Sequence, residues 1–262
     1  MNMKLIIAAT LAFATTSAFA DTGSAKTEKD EWQFEFTPFV WGAKNEGESG
    51  AYRQGPAGQE RGKQSEVDID FQTLIDHTDA AFMGNFNARK DNWLLYSELI
   101  YLDVNDKQSL ANYGGQDGNV HIDIEGYVFD MGVGYKVYES SDTELYSYIG
   151  ARAMEVDTNI QIETANGANQ AQMGSDWVDP LVGIHVIHKI NNTFAVQGRL
   201  ETGGFGVGSD ESYLVSAVLD HKLSENWSLK YFYRYMEVDY KDQGFIYNME
   251  ISGPGMGITY RF

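Results

Sequence analysis

From Trp32 to the C-terminus the chain alternates in polarity with a period of two, in runs of roughly ten residues separated by short breaks. That period belongs to β-strands, where successive side chains point to opposite faces. In the run that begins at Trp93, one face carries Trp93, Leu95, Ser97, Leu99 and Tyr101, and the other carries Glu98. Tyr127, Phe129, Met131, Val133, Tyr135 and Val137 share a face opposite Asp130 and Lys136. Trp227, Leu229, Tyr231, Tyr233 and Tyr235 do the same opposite Lys230 and Arg234. Each apolar face spans about nine to eleven residues with aromatics near its ends, the length and edging of a strand that crosses a bilayer. A soluble sandwich also alternates, but it has no need of aromatic outer faces of uniform length.

Strands are predicted at residues 32–42, 80–89, 93–104, 120–137, 143–156, 176–189, 194–204, 211–222, 227–240 and 246–262. The expected fold is therefore an all-β, antiparallel transmembrane barrel of about ten strands, within a range of eight to twelve. The breaks at 90–92, 139–143, 190–193 and 224–226 are tight, whereas 43–79, 105–119, 157–175, 205–210 and 241–245 read as mostly longer loops. Short turns at one end and longer loops at the other is the layout of an outer-membrane barrel. An even strand number puts both termini on the periplasmic side.

The first twenty residues, MNMKLIIAATLAFATTSAFA, have Lys4, an apolar stretch and a closing Ala18-Phe19-Ala20, the pattern of a secretory signal peptide. Residues 21–30 are polar and read as a disordered periplasmic leader, so the barrel is assigned to 31–262. Loss of the signal leaves a net charge of about −20, which disfavours nucleic acid as a partner. With no cysteine, neither disulfide staples nor thiol chemistry are available.

The last strand ends in Phe262, with Tyr260, Ile258 and Met256 on the same face, and resembles the signal that outer-membrane barrels present to their assembly machinery. The segments TPFVWGAKNEGE and VDIDFQTLIDHTDAAFMGNFNARKDNWLLYSELIYLDV, with the closing GPGMGITYRF, resemble an uncharacterised family of proteobacterial outer-membrane barrels. The resemblance covers most of the chain beyond the signal. It implies architecture and location, with membrane lipid, lipopolysaccharide and the assembly machinery as partners, and it brings no catalytic or binding residue.

The polar faces define a lumen rich in charge: Glu35, Arg89, Glu98, Asp130, Arg152, His185, Arg199, Glu201, Asp220, Lys230, Arg234 and Arg261. Residue numbers of facing positions in a hairpin have a constant sum. The tight turns therefore set Asp130 opposite Arg152, His185 opposite Arg199, Gly183 opposite Glu201 and Asp220 opposite Lys230. Opposite signs at facing positions are expected in a packed interior, because buried charges must be paired. Such a lumen is expected to be plugged.

Above the aromatic edge the outward parity turns acidic: Asp103 follows Tyr101, Asp123 and Glu125 precede Tyr127, and Glu237 and Asp239 follow Tyr235. Glu155 and Asp157 repeat the pattern beyond Ala153, and Glu66, Asp68 and Asp70 share the same spacing in the first loop. These are candidate ligands for Ca²⁺ or Mg²⁺, hard cations that favour carboxylate and phosphate oxygens. No other cofactor is implied.

Catalytic readings are weaker. Asp76-His77-Thr78-Asp79 groups acids with a histidine as omptin proteases do at the barrel rim, but it lies within four consecutive residues with no second aspartate pair identifiable. A short helix or turn in the first loop is the better reading. His185 has no serine two residues away, His221 lies on the outward parity, and no zinc spacing such as H-E-x-x-H occurs. The sequence therefore favours a non-enzymatic barrel with a structural or surface-contact role. A narrow small-solute channel and a surface protease or lipase stand behind it.

Overall fold

The computed structural model describes residues 31–54, 60–113, 116–164 and 167–262, and the expected signal peptide and leader lie outside them. The strands are β1 (Gln33–Trp41), β2 (Lys44–Gln54), β3 (Glu60–Ile69), β4 (Thr78–Lys90), β5 (Trp93–Tyr113) and β6 (Gln116–Glu139). They continue with β7 (Thr143–Thr164), β8 (Gly167–Lys189), β9 (Phe194–Gly204), β10 (Glu211–Lys222), β11 (Trp227–Asp242) and β12 (Phe245–Arg261). Ten of them, β1 and β4 to β12, pair antiparallel in chain order, and β1 closes on β12 with Phe36 opposite Tyr260. A barrel leaves no free edge at this level.

Aromatic pairs sit where the sequence puts them. Trp93 meets Tyr135 at 5.2 Å between ring centroids, and Trp227 meets Tyr260 at 4.7 Å. Phe34 packs on Phe86 and Phe262 in the same region. Eight residues further along, Tyr101 lies 4.6 Å from Tyr127. Eight residues span about 26 Å of strand, close to the height of an apolar band.

Four predicted loops are different in the structure. Residues 105–119 and 157–175 are largely strand, because β5 to β8 run for 21, 24, 22 and 23 residues. The first loop, 43–79, holds β2 and β3, which extend the sheet beyond β12 with Ser252 opposite Lys44. It also holds the helix α1 (Phe71–His77), whose first turn is capped by Asp70 accepting the Thr73 N–H at 2.7 Å. The break at 241–245 is a two-residue turn: Gln243 and Gly244 both have positive φ, 52° and 84°, as a tight hairpin turn requires.

The physical reason is a reversal of polarity. On β6 the outer face is apolar from Val137 to Tyr127, then becomes Glu125 and Asp123, while the inner face passes from Asp130 to Val128, Ile124 and Ile122. On β7 the outer face reaches Glu155, Asp157 and Asn159, while the inner face passes from Arg152 to Met154, Val156, Ile160 and Ile162. The period of two continues, but with the polar face outward, as in a sheet surrounded by water. Below the reversal the wall is apolar outside; above it the apolar side chains turn inward.

Inside the barrel at this level is a buried apolar cluster: Phe39, Trp41, Met154, Trp177, Leu214, Met236, Val238, Tyr240, Phe245, Met249 and Ile251 all belong to it. β9 and β10 end within this layer, and above them β8 packs directly toward β11 and β12.

Candidate functional site

The lumen is layered. At the tight-turn end, Glu35 accepts from Arg89 Nη2 at 2.8 Å, Arg261 Nε at 2.9 Å and Lys230 Nζ at 3.4 Å. Asp220 accepts from Arg261 Nη2 at 2.7 Å and Gln197 Nε2 at 3.2 Å. Facing register does place Asp220 opposite Lys230. The ion partners nevertheless differ from the hairpin expectation, since Lys230 reaches past β12 to Glu35 on β1 and Asp220 takes Arg261.

The middle layer is the driest. Arg152 is fully buried and donates from Nε and Nη2 to the two oxygens of Asp130, both at 2.8 Å. Nη2 also donates to Glu201 at 2.7 Å, and Nη1 donates to the Ser212 hydroxyl at 3.0 Å. Arg199 lies 3.2 Å from Asp130 and 2.8 Å from Glu201, the latter an ion pair outside hydrogen-bond geometry. Beside them Arg234 grips Glu98 through two bonds of 2.8 and 2.9 Å, and its guanidinium lies within 5.5 Å of the rings of Phe39, Trp41 and Phe232. Planar, two-pronged donation suits arginine and not lysine.

His185 faces Arg199 in register but stands outside the ion-pair network, lining a cavity instead. That is a correction to its expected place. Gly183 faces Glu201, and the space it leaves is filled by Tyr148: a Cβ there would meet the Tyr148 ring at 2.4 Å. The Tyr148 hydroxyl then donates to Glu201 at 2.7 Å.

Sequence reasoning did not name Tyr148, Ser212 or Asp179, although all three have inward parity. Asp179 is fully buried and accepts from the Ser209 backbone N–H at 2.6 Å and hydroxyl at 2.8 Å, which ties down the β9–β10 connection. The buried apolar layer was missed as well, and Met236 and Val238 on the Arg234 face carried its signal.

On the outer face the acids stand side by side. Asp103 faces Glu125, which faces Asp157, so three carboxylates cross β5, β6 and β7 in one row. Asp123 sits one step higher beside Asn105 and His121, which it contacts at 2.7 and 3.0 Å. Tyr127 and Glu155 face each other just below. On β11, Glu237 faces Glu250 and Tyr213, and Asp239 faces Glu211. The Asp239 carboxyl is pushed above the ordinary carboxylate range by desolvation first, then by Asp210, Glu211 and Glu237. Like charges facing across strands are destabilising. Among the described residues, no three Asp, Glu or His side chains converge to hold a metal ion by themselves. A cation here needs further oxygen ligands from outside the protein.

The four-residue Asp76–Asp79 group does not assemble as a rim site. Asp76 accepts from Gln72 Nε2 at 2.9 Å, and His77 lies between the Thr73 carbonyl at 2.8 Å and Asp106 at 3.2 Å. His221 stacks on Phe194 at 4.7 Å on the outer face.

No protein-family model matches the chain, and no curated protein matches it in sequence. Among solved structures, the outer membrane protease OmpT from Escherichia coli matches with a TM-score of 0.57 at 10% identity, covering 92% of this chain and 100% of that one. The translocator domain of the autotransporter NalP from Neisseria meningitidis gives 0.42 at 10% identity, covering 87% of this chain and 88% of that one. Ail, the attachment invasion locus protein of Yersinia pestis, gives 0.35 at 9% identity, over 89% of this chain and 99% of that one. At such identities the likeness to OmpT speaks for fold alone. The fold is a closed, ten-stranded, antiparallel barrel of the outer-membrane type.

Proposed function

We propose that this chain is a non-enzymatic outer-membrane protein that uses a sealed barrel to hold a rigid β-sheet above the membrane, in a structural or surface-contact role. The carrying observation is the reversal of polarity along β5 to β8 and β11, with ion pairs below it and a buried apolar layer above it inside the barrel. The apolar outer band belongs in lipid, with the tight turns and both termini in the periplasm and the extended strands outside the cell. Delivery by a signal peptide and insertion by the barrel assembly machinery belong to this reading.

The outward row Asp103–Glu125–Asp157 stands one step above the aromatic edge, at the height of lipopolysaccharide phosphates. Carboxylate and phosphate repel unless a cation lies between them, so bridging Ca²⁺ or Mg²⁺ would convert repulsion into adhesion.

Liposome swelling tests the sealed lumen. The purified barrel in liposomes should admit no monosaccharide, and uptake at porin-like rates would replace the structural reading with the channel.

A further inference from the structure

Between the two charged layers lies a cavity of about 90 Å³, bounded by Tyr96, Glu98, His185, Arg199, Lys230 and Arg234 among others. We propose that this chamber binds one small inorganic anion, admitted from the tight-turn end of the barrel.

The wall carries more positive than negative charge, and its neutral polar members, among them Asn85, Asn87, Gln197 and His185, can donate as well as accept. Three of the lining side chains are cationic: Arg199, Lys230 and Arg234. One lining carboxylate, Glu98, faces them, and both its oxygens are already engaged by Arg234. The Arg234 Nε and the Tyr96 hydroxyl are buried without a hydrogen-bond partner among the described residues, and each residue is only 7% exposed. Lys230 reaches Glu35 through a long 3.4 Å contact, and an ammonium has three hydrogens to give. Buried donors without acceptors are costly, and an anion or ordered water removes that cost. The volume holds several waters or one small anion. Three cations converging from two strands, Arg199 on β9 and Lys230 and Arg234 on β11, favour the anion.

Access follows from the gradient of exposure. Arg152 above the chamber is fully buried under the apolar layer, whereas Arg89 and Arg261 at the turn end are 23% and 26% exposed. The chamber is therefore blind: an ion enters and leaves by the same end. Glu35, Asp130 and Glu201 hold the cations from behind, which moderates affinity to a weak, exchangeable site.

Bromide and chloride are suitable probes. Crystals of the folded barrel soaked in sodium bromide should show one anomalous peak within hydrogen-bond distance of Lys230 Nζ or Arg234 Nε. In solution, ³⁵Cl resonance broadening by the detergent-solubilised barrel should contain a saturable component of one site per chain. Lys230→Met suits the comparison because Glu35 keeps Arg89 and Arg261 as partners, so the barrel still folds. Loss of one charge-assisted donor should weaken binding by about tenfold. Tyr96→Phe, which keeps the ring in place, should weaken it by a smaller factor. A chamber holding only water in the bromide crystals overturns the proposal, as does broadening that never saturates or is the same in wild type and Lys230→Met. Neither result bears on whether sugars cross the barrel, so the sealed-lumen reading stands or falls separately.

Discussion

Trp177 on β8 and Tyr240 on β11 stack with ring centroids 4.1 Å apart and planes inclined by 14°, although β9 and β10 separate their strands in the barrel below. Ser175 reinforces the contact through a 2.8 Å hydrogen bond to the Tyr240 hydroxyl. Two walls that belong to opposite sides of a gap are thus drawn together from the inside. With the neighbouring Trp177–Tyr247 contact, the stack bridges β8 to β11 and β12 above the short strands.

Trp177→Ala should therefore cost about 3–5 kcal/mol, the usual range for removing a buried aromatic. The lower barrel keeps its ion pairs, so the loss should appear as early unfolding of the upper sheet. Limited proteolysis of β8 upstream of Pro180, followed by mass spectrometry, reads this directly. Cleavage no faster than wild type would show that the stack does not hold the gap.

The ion pairs predict a different pattern. Arg152→Met leaves Asp130 and Glu201 buried with Arg199 as their remaining close cation. Breaking one partner of a buried pair costs about 3–5 kcal/mol, and removing both partners costs less. The double variant Asp130→Asn/Arg152→Met should therefore unfold at a higher temperature than Arg152→Met alone in a heat-shift gel. Equal transitions would mean that the middle layer is hydrated.

The hairpin arithmetic reached the register of β6–β7, β8–β9 and β10–β11, because tight turns fix which residues face each other. It could not reach Lys230–Glu35, which spans 195 positions and depends on how the barrel closes. The extensions of β5 to β8 passed for loops because their Asn, Gln, Asp and Gly content resembles loop composition. The alternation was still present in Thr158, Ile160 and Ile162 against Asn159 and Gln161, but with the opposite face apolar. A search for apolar outer faces stops where the solvent changes from lipid to water. The buried apolar layer was missed for the same reason, since Met154, Met236 and Val238 occupy the parity that carries charge lower down.

A small side chain opposite a large one is a further legible device. Gly255 faces Phe232 across β11–β12, and a Cβ at 255 would meet the Phe232 ring at 2.1 Å. Gly255→Ala should cost about 1–3 kcal/mol as overpacking. Phe232→Leu in the same chain should recover part of that loss, measured as the midpoint of urea unfolding in detergent. No recovery would place the strain in the backbone instead.

Asp239 gives a pH dependence whose sign is fixed by its surroundings. Its carboxyl is raised in the folded state, so the ionised form is less welcome there than in the unfolded chain. The group therefore opposes folding at neutral pH, and that opposition fades as pH falls through its raised folded-state value. Asp239→Asn should raise the melting temperature at pH 7 and change it little at pH 3. A variant that stabilises equally at both values would have acted through packing.

The outward acids lead to the last prediction. Asp103, Glu125 and Asp157 occupy adjacent strands, where facing like charges repel, yet they lie on an extended sheet that has no basic residue in that row. Among the described residues these side chains do not converge on a cation by themselves, so a bridging ion would need anionic oxygens from the surroundings. Neutral detergent cannot supply them, whereas lipopolysaccharide phosphates can. Millimolar Ca²⁺ or Mg²⁺ should therefore raise the melting temperature in lipopolysaccharide more than in neutral detergent, and chelation should reverse the gain. A variant combining Asp123→Asn, Glu125→Gln, Glu155→Gln and Asp157→Asn removes much of the repulsion together with the ligands. It should fold at least as well as wild type without added cation and lose the chelator response in lipopolysaccharide. Bulk screening by the cation would act on both proteins, since the rest of the chain stays strongly acidic. Equal responses from wild type and variant would therefore identify screening, and the acids would be no more than the wetted outside of the sheet.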